Sequence, residues 1–523
     1  MGTRMSRRRS SGIVVLAAVT ALGAAACGSA PAAPASTVFH GVPAPSGTWL
    51  YPNGDLANTR DAAGSVISAA NVSKLRAAWT FKLTGQAAAG VQKTGAFAAA
   101  PVVVNGVVYI QDLDCNVYAL SLATGALKWE YQVNQAEVTG PGPNGVAVAD
   151  GVVYGDTPST VFALSASTGK TVWADRSLLG SGDGTFEIQP QVADGKVYLS
   201  SAYGLGPGGG VAMALSASTG RLLWSFDTLT GSDTGVKSVG IGSGGAWETP
   251  LVGGDGSVTF GIGNPYQSVA SAMAHPSAQL YTDSDVNLDA ATGKLRWYYQ
   301  GVPNDFNDWD MQASPISAQV NGVPAVIGSG KMGIVYAMNA STGALLWKTP
   351  VGAHNGHDNL SLLLLQHKTT VKAPLTMVPG SLGGVLTNMA LAGSTVYVAT
   401  IDLPLTTTDL NLPVGTQPAA APTGEVEALS LATGKVEWDT KVAQMPLGAA
   451  TVSNDLVFTT LYNGVLLALD RSTGAIVYRV TLPTSTNAPI AIAGNSVIIP
   501  AGAPATSASG APGPAQLVAY TVP

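Results

Sequence analysis

One phrase constrains this chain more than any other: a small residue, Thr-Gly, three residues, then Trp. Complete copies run at 123–129, 167–173, 218–224, 291–297, 341–347 and 432–438, each ending in Trp. Another copy, Ser472-Thr-Gly-Ala-Ile-Val-Tyr478, carries Tyr in place of Trp, and Trp79 in Leu75-Arg-Ala-Ala-Trp-Thr-Phe81 reads as a copy that has lost its turn. Alternating runs such as Val117-Tyr-Ala-Leu-Ser and Leu466-Leu-Ala-Leu-Asp precede the turns. Each unit therefore reads as strand, tight turn with Gly at the position that needs positive φ, and strand. A unit this short cannot bury its apolar face alone, so neighbours must stack. Repeats spaced roughly 40–50 residues apart predict an all-β, eight-bladed β-propeller of four-stranded antiparallel blades.

The propeller is assigned to residues 47–523. Ahead of it, Arg4, Arg7, Arg8 and Arg9 precede an apolar run, Ile13 to Gly23, and then Ala24-Ala-Ala-Cys27. A basic region, a short apolar region and small residues make a secretory leader over 1–27. Cys27 resembles the lipidated Cys of a lipoprotein signal, although Ala24 stands where such signals usually carry Leu or another branched residue. Ordinary secretion with cleavage nearby is the other reading. Residues 28–46, rich in Ala, Pro, Ser and Gly, read as a flexible tether. The expectation is an exported protein, lipid-anchored on the extracytoplasmic face of the cell membrane or secreted.

The chain has 25 Lys plus Arg against 31 Asp plus Glu, a formal charge of -6, which argues against a nucleic-acid partner. With Cys27 in the leader, Cys115 has no intrachain partner and reads as a small buried strand residue. No Cys-x-x-Cys-His occurs, so no covalent haem attachment is expected. His354 and His357 fall on a loop read as surface, 406–423 as a Pro-rich insertion between blades, and 516–521 as a strand that closes the ring against Trp79-Thr-Phe81.

The segment Thr48-Trp-Leu-Tyr-Pro-Asn-Gly-Asp-Leu-Ala-Asn-Thr-Arg60, followed by Asn71-Val-Ser-Lys-Leu75 and Trp79-Thr-Phe81, resembles the opening of the quinoprotein (PQQ-dependent) alcohol dehydrogenases. The resemblance runs nearly to the C-terminus. It implies a dehydrogenase acting on an alcohol, polyol or sugar with PQQ and a Ca²⁺ or lanthanide ion. In Ser243-Gly-Gly-Ala-Trp-Glu-Thr-Pro250 it places Trp247 flat against the quinone; a blade-packing Trp is the alternative. In Gly261-Ile-Gly-Asn-Pro265 it makes Asn264 a metal ligand through its amide oxygen, where the residues alone read as a turn. In Pro303-Asn-Asp-Phe-Asn-Asp-Trp-Asp310 it makes Asp308 the catalytic base and a metal ligand, and Asp310 the extra carboxylate of lanthanide-dependent members. A solvated acidic turn is the alternative there. Lys331, in Ser329-Gly-Lys-Met-Gly333, stands where the family places a cation over the quinone oxygens; otherwise it is an exposed strand-edge Lys. Asn388 is matched to a further cofactor contact.

The departures are as specific. Ala202 stands where the family has a ligating Glu, Asn144 where it has a cofactor-binding Arg, Glu187 where it has Thr, and Asn307 where it has Trp. The vicinal Cys pair and a late pocket-closing Trp are absent. Glu187 or Glu248 is a candidate replacement carboxylate. The competing reading is thus a cofactor-less propeller lipoprotein serving as a binding or assembly scaffold, which resembles the outer-membrane assembly lipoproteins with the same repeat.

Overall fold

The computed structural model describes residues 47–84, 97–133, 144–180, 183–202, 210–229, 244–412, 422–502 and 515–523. The leader, the tether and Cys27 lie outside them. Each Thr-Gly turn joins the third and fourth strands of an antiparallel sheet. Blade 1 is Val102–Val104, Val107–Gln111, Val117–Ser121 and Leu127–Tyr131. Blades 2 to 7 open at Ala147–Ala149, Gln191–Ala193, Leu251–Val252, Ile316–Val320, Ala390–Ala392 and Thr451–Ser453, and repeat the same strand order, with Thr185–Phe186 added against Lys196–Ala202 in blade 3. Blade 8 joins the two ends of the chain. Its first three strands are Ala491–Ala493, Ser496–Ala501 and Gln516–Thr521, and its outermost is Arg76–Lys82, paired with Trp79 opposite Ala519. The expected ring closure is thus formed by the pairing of Arg76–Lys82 with Gln516–Thr521.

The repeated Trp is a staple between blades. The Trp129 indole donates to the Ala166 carbonyl of the next blade's turn (2.8 Å), Trp173 to Ala217 (2.9 Å) and Trp297 to Ala340 (2.7 Å). Each ring lies against the turn's Gly: a Cβ on Gly169, Gly220 or Gly343 would sit 2.6–2.7 Å from it. Both constraints, positive φ and no room for a methyl, select Gly. Trp79 does the same to Leu122 and Gly125, so it is a working copy without its own turn. The Tyr at 478 has a reason too. It faces blade 8, whose last two strands come from opposite ends of the chain and so have no turn between them; its hydroxyl reaches Leu75 O instead (3.1 Å).

Two sequence expectations are corrected. Residues 403–422 do not separate blades; they join Thr395–Asp402 to Thr423–Ser430 inside blade 6, and Leu405–Thr407 pairs with Leu375–Met377. Cys115 is buried, but in the turn after Gln111 with φ 64, not in a strand.

Connections from second to third strands, and from one blade to the next, emerge on one face of the ring. The segment 49–62 touches blades on several sides of the ring, with Trp49 bridged to Val103 of blade 1 and Asp61 to Val452 of blade 7. Arg60, fully buried, donates to Ala450 O, Asn53 Oδ1, Thr451 Oγ1 and Ile490 O, tying the segment to blades 7 and 8. Asn58 donates to Pro315 O (3.0 Å) ahead of blade 5.

Candidate functional site

The connection from blade 4 to blade 5 is shaped by Asp305. Its buried carboxylate accepts the N–H groups of Asn307 and Trp309, both at 2.9 Å. The Trp309 indole donates to Pro379 O (3.1 Å), pinning the loop from outside. Asp308 is thereby held at φ 61, with its side chain 21% exposed, whereas that of Asp310 is fully buried.

Four of the expected residues meet here. Asn264, in the loop between the second and third strands of blade 4, donates its amide nitrogen to Asp308 Oδ1 (2.7 Å) and its backbone N–H to Asp310 Oδ1 (2.8 Å). Lys331, in the corresponding turn of blade 5, is buried rather than an exposed edge residue. Its ammonium lies 3.0 Å from Asp308 Oδ2 and contacts Asp310 Oδ2. The Lys331 N–H also donates to Asp310 O (2.9 Å). The ring of half-buried Trp247 reaches Gly263, where an added Cβ would meet it at 2.6 Å and Asp310 Oδ1 at 2.8 Å. Trp247 therefore stands beside the acidic pair, outside the staple positions.

Asn388 and Glu248 do not join this cluster. Asn388 accepts from Ser314 N (2.9 Å) and donates to Asn53 (3.2 Å) and Glu248 (2.9 Å), so its amide belongs to the floor network around Arg60. Burial pushes Glu248 up to about 7, against the opposing pull of Asn388 and Arg60. Ala202 is packed against Gly245, whose Cβ would lie 2.9 Å from its own.

Tyr266 was not singled out by the sequence. Burial raises its phenol, and Asp310, Asp308 and Glu187 add to the shift while Lys331 opposes it, so it lies within electrostatic reach of both sides of the site. Its only signal was its place directly after Asn264-Pro265. Glu187, 8% exposed, is pushed up to about 7 by burial alone. Asp156, fully buried and raised well above the usual carboxylate range by burial, accepts from Asn144 (3.1 Å) at one oxygen, and its other oxygen has no hydrogen-bond partner. The wall from blades 2 and 3 is therefore acidic.

Burial raises Asp308 as well; Lys331 pulls it down and Asp310 pushes it up. The same carboxylates hold Lys331 above the usual ammonium range despite its burial. The two directions are compatible because one ammonium is shared by two buried carboxylates, which leaves Asp308 short of a full countercharge.

The donor set suits a hard cation: two carboxylates and the Asn264 amide oxygen, which is buried without a partner. A buried ammonium and a half-buried indole, both against the acidic pair, suit the reacting edge of a planar quinone. The blade 4–5 side thus fits a metal–quinone pair, while Glu187 and Asp156, described on the blade 2–3 side, are carboxyls and not the cation that the acid groups of such a ligand would call for. Another trio, Glu425, Glu427 and Asp439, gathers on blade 6 with ligand atoms within 4.8 Å, but Lys441 pairs with Glu425 and Asp439 there.

Comparison with known proteins bears on the family and the fold. The family model described as the glucose/ethanol/alcohol dehydrogenase β-propeller domain (PQQ) matches residues 49–150 and 181–353, and that of outer membrane protein assembly factor BamB matches 422–510. Quinohemoprotein alcohol dehydrogenase of Comamonas testosteroni is 30% identical over 353 residues, 59% of this chain and 48% of that protein. The dehydrogenase subunit of the quinone alcohol dehydrogenase of Gluconobacter oxydans (strain 621H) is 27% identical over 392 residues, 65% of this chain and 50% of that one. This chain thus spans about half the length of these curated relatives. The crystal structure of the Comamonas enzyme shares the fold with a TM-score of 0.78 at 22% identity, covering 91% of this chain and 80% of that one.

Proposed function

The chain belongs to the glucose/ethanol/alcohol dehydrogenase β-propeller family, and from that premise we propose that it is a PQQ-using dehydrogenase that oxidises an alcohol, polyol or sugar. The observation that carries this reading is the Asn264–Asp308–Asp310–Lys331 cluster with its unpartnered amide oxygen.

Asp308 is the catalytic base. It is the partly exposed carboxylate of the pair, and burial sets its basicity nearer neutrality than that of a solvated carboxylate, as accepting a hydroxyl proton requires. Lys331 orients Asp308 and keeps positive charge at the site where negative charge develops. Asn264, Asp308 and Asp310 would hold a Ca²⁺ or lanthanide ion, and Trp247 would form one wall for the quinone. Bound PQQ supplies the hydride acceptor. A small-molecule substrate meets Asp308, a separate acceptor takes the electrons, and the chain is exported, tied by a lipid on Cys27 to the extracytoplasmic face of the cell membrane or secreted. Saturable PQQ binding with Ca²⁺ or La³⁺, read by quinone absorbance and Trp quenching, tests this. Binding should vanish in Asp308→Ala and Asn264→Ala.

The second reading is a cofactor-less propeller scaffold. It is favoured by Ala202 in place of a ligand and by Glu187 and Asp156 on the blade 2–3 side, carboxyls that offer no positive charge to a ligand bearing carboxylates. A folded protein that binds PQQ with neither ion would decide for it.

A further inference from the structure

His354 is not the surface residue its loop suggested: its side chain is 14% exposed. It lies on the connection from blade 5 to blade 6 and reaches back to the turn that carries Lys331. Its Nε2 lies 3.1 Å from the carbonyl oxygens of both Gly333 and Val351. Its Nδ1 lies 2.7 Å from Asp358 Oδ1. Both ring nitrogens therefore face acceptors only. A neutral imidazole has one N–H and can satisfy one side; an imidazolium satisfies both.

The turn it holds has little freedom elsewhere. Gly333 N–H closes it on Gly330 O (3.0 Å), and Val351 N–H donates to Gly333 O (2.8 Å). On one flank the Lys331 N–H is bonded to Asp310 O, and on the other a Cβ on Gly384 would overlap the Lys331 carbonyl. A Cβ on Gly333 would lie 3.2 Å from His354 Nε2, so the ring is seated against the turn itself.

We propose that His354 is a positioning residue for the pocket: its protonated ring, steadied by Asp358, clamps the Gly333 carbonyl and thereby fixes the turn that presents Lys331 to the cofactor. The proposal rests on the reading of Lys331 as the charge that meets the quinone.

Proton loss from His354 then loosens the clamp. The groups that face this ring set where that happens. Asp358 faces it from its own loop, and Tyr336 of blade 5 lies within reach of Asp358. Asp402 and Glu427 of blade 6 hold the neighbouring N–H groups of Ala353 (2.9 Å) and Gly352 (3.1 Å). All are neutral or anionic, so they favour the imidazolium. Burial opposes it, but hydrogen bonding to Asp358 prevails and His354 is raised above its ordinary value. The clamp is complete below that ordinary value and is lost as pH rises through the raised one.

The test uses the full chain. Ring NMR, assigned with His354→Gln, gives the titration of His354. Hydrogen exchange of the segment 329–336, corrected for intrinsic rates, reports the turn, and PQQ titration with Ca²⁺ reports the pocket. The expected result is a His354 midpoint above about 6.5, protection of 329–336 that falls through that midpoint, and PQQ affinity that falls about fivefold or more with it. Asp358→Asn should move all three to lower pH together. A midpoint at or below the ordinary value, or an Asp358→Asn shift that leaves exchange of 329–336 unmoved, would overturn the proposal. Coupled His354 and turn profiles with no PQQ binding at any pH would instead sink the dehydrogenase reading while leaving the clamp intact.

Discussion

Replacing Lys331 with Met removes the ammonium that Asp308 and Asp310 share while keeping most of the side-chain volume. Lys331 is 7% exposed and Asp310 is fully buried, so little water can replace the lost charge. Removing one partner of a buried ion pair costs about 3–5 kcal/mol. For a propeller of this size the unfolding entropy is on the order of 1 kcal/mol per kelvin, so the melting temperature should fall by about 3–5 °C at pH 8. The sign of the pH dependence follows from Asp308. Its folded pKa is already raised by burial, and losing Lys331 removes the influence that lowers it. Protonation of Asp308 can therefore relieve the repulsion within the pair at low pH but not at high pH. At pH 5 the loss should shrink to about 1 °C, and Asp308→Asn in the Lys331→Met background should recover much of the loss at pH 8. Scanning calorimetry at the two pH values reads this directly. Equal losses at both, or a loss under about 1 °C at pH 8, would show that the three groups do not form the buried unit described above.

Other outcomes follow from the same geometry. Glu187→Gln removes a carboxyl held near 7 by burial. Its folded pKa is above its unfolded one, so it erodes stability as pH rises from the ordinary carboxylate range to about 7; the variant should gain up to about 3 kcal/mol at pH 8 and nothing at pH 4 by denaturant melts. Gly293→Ala puts a Cβ 2.7 Å from the Trp224 ring at φ 71, and should cost about 3 kcal/mol or more, whereas Gly106→Ala, also at φ 71 but with open space, should cost about 1–2 kcal/mol of backbone strain alone in the same assay. Terbium luminescence sensitised by Trp247 should appear on titration and be lost in Asp310→Asn and Asn264→Ala; unchanged signal in both would place any ion elsewhere.

The architecture was legible because each blade carries its own marker. A Trp at fixed offset from a Gly reports one local turn and one contact with the next blade, so eight blades could be read from short strings. Even the odd Tyr478 has a physical meaning, since the turn it would have met is split between the chain ends. The acidic pair, Asn264 and Lys331 were legible because each sits in a short stretch resembling a known one. What escaped notice lies between stretches. Tyr266 and Asp156 come within electrostatic reach of Glu187, which the sequence did single out, only after the blades are stacked. His354 was misread because a polar loop looks alike whether it meets solvent or a neighbouring turn. The insertion at 406–423 was misplaced for a similar reason: nothing local to a loop says whether its flanking strands belong to one sheet or two.

The ring closure also dictates an order of events. Arg60 donates to the carbonyl of Ile490, 430 residues away, and Trp79 pairs across from Ala519. During synthesis the strand Arg76–Lys82 is made early and its partner Gln516–Thr521 last, so an unpaired strand with Trp79 on it and the cationic Arg60 must wait unsatisfied while seven sheets form between them. Contacts of such sequence separation are slow to form, and the waiting strand offers an open edge to other copies. A circular permutant that begins at blade 1 and carries residues 47–82 after residue 523 would make the blade 8 strands consecutive, and it should refold faster and aggregate less than the natural order.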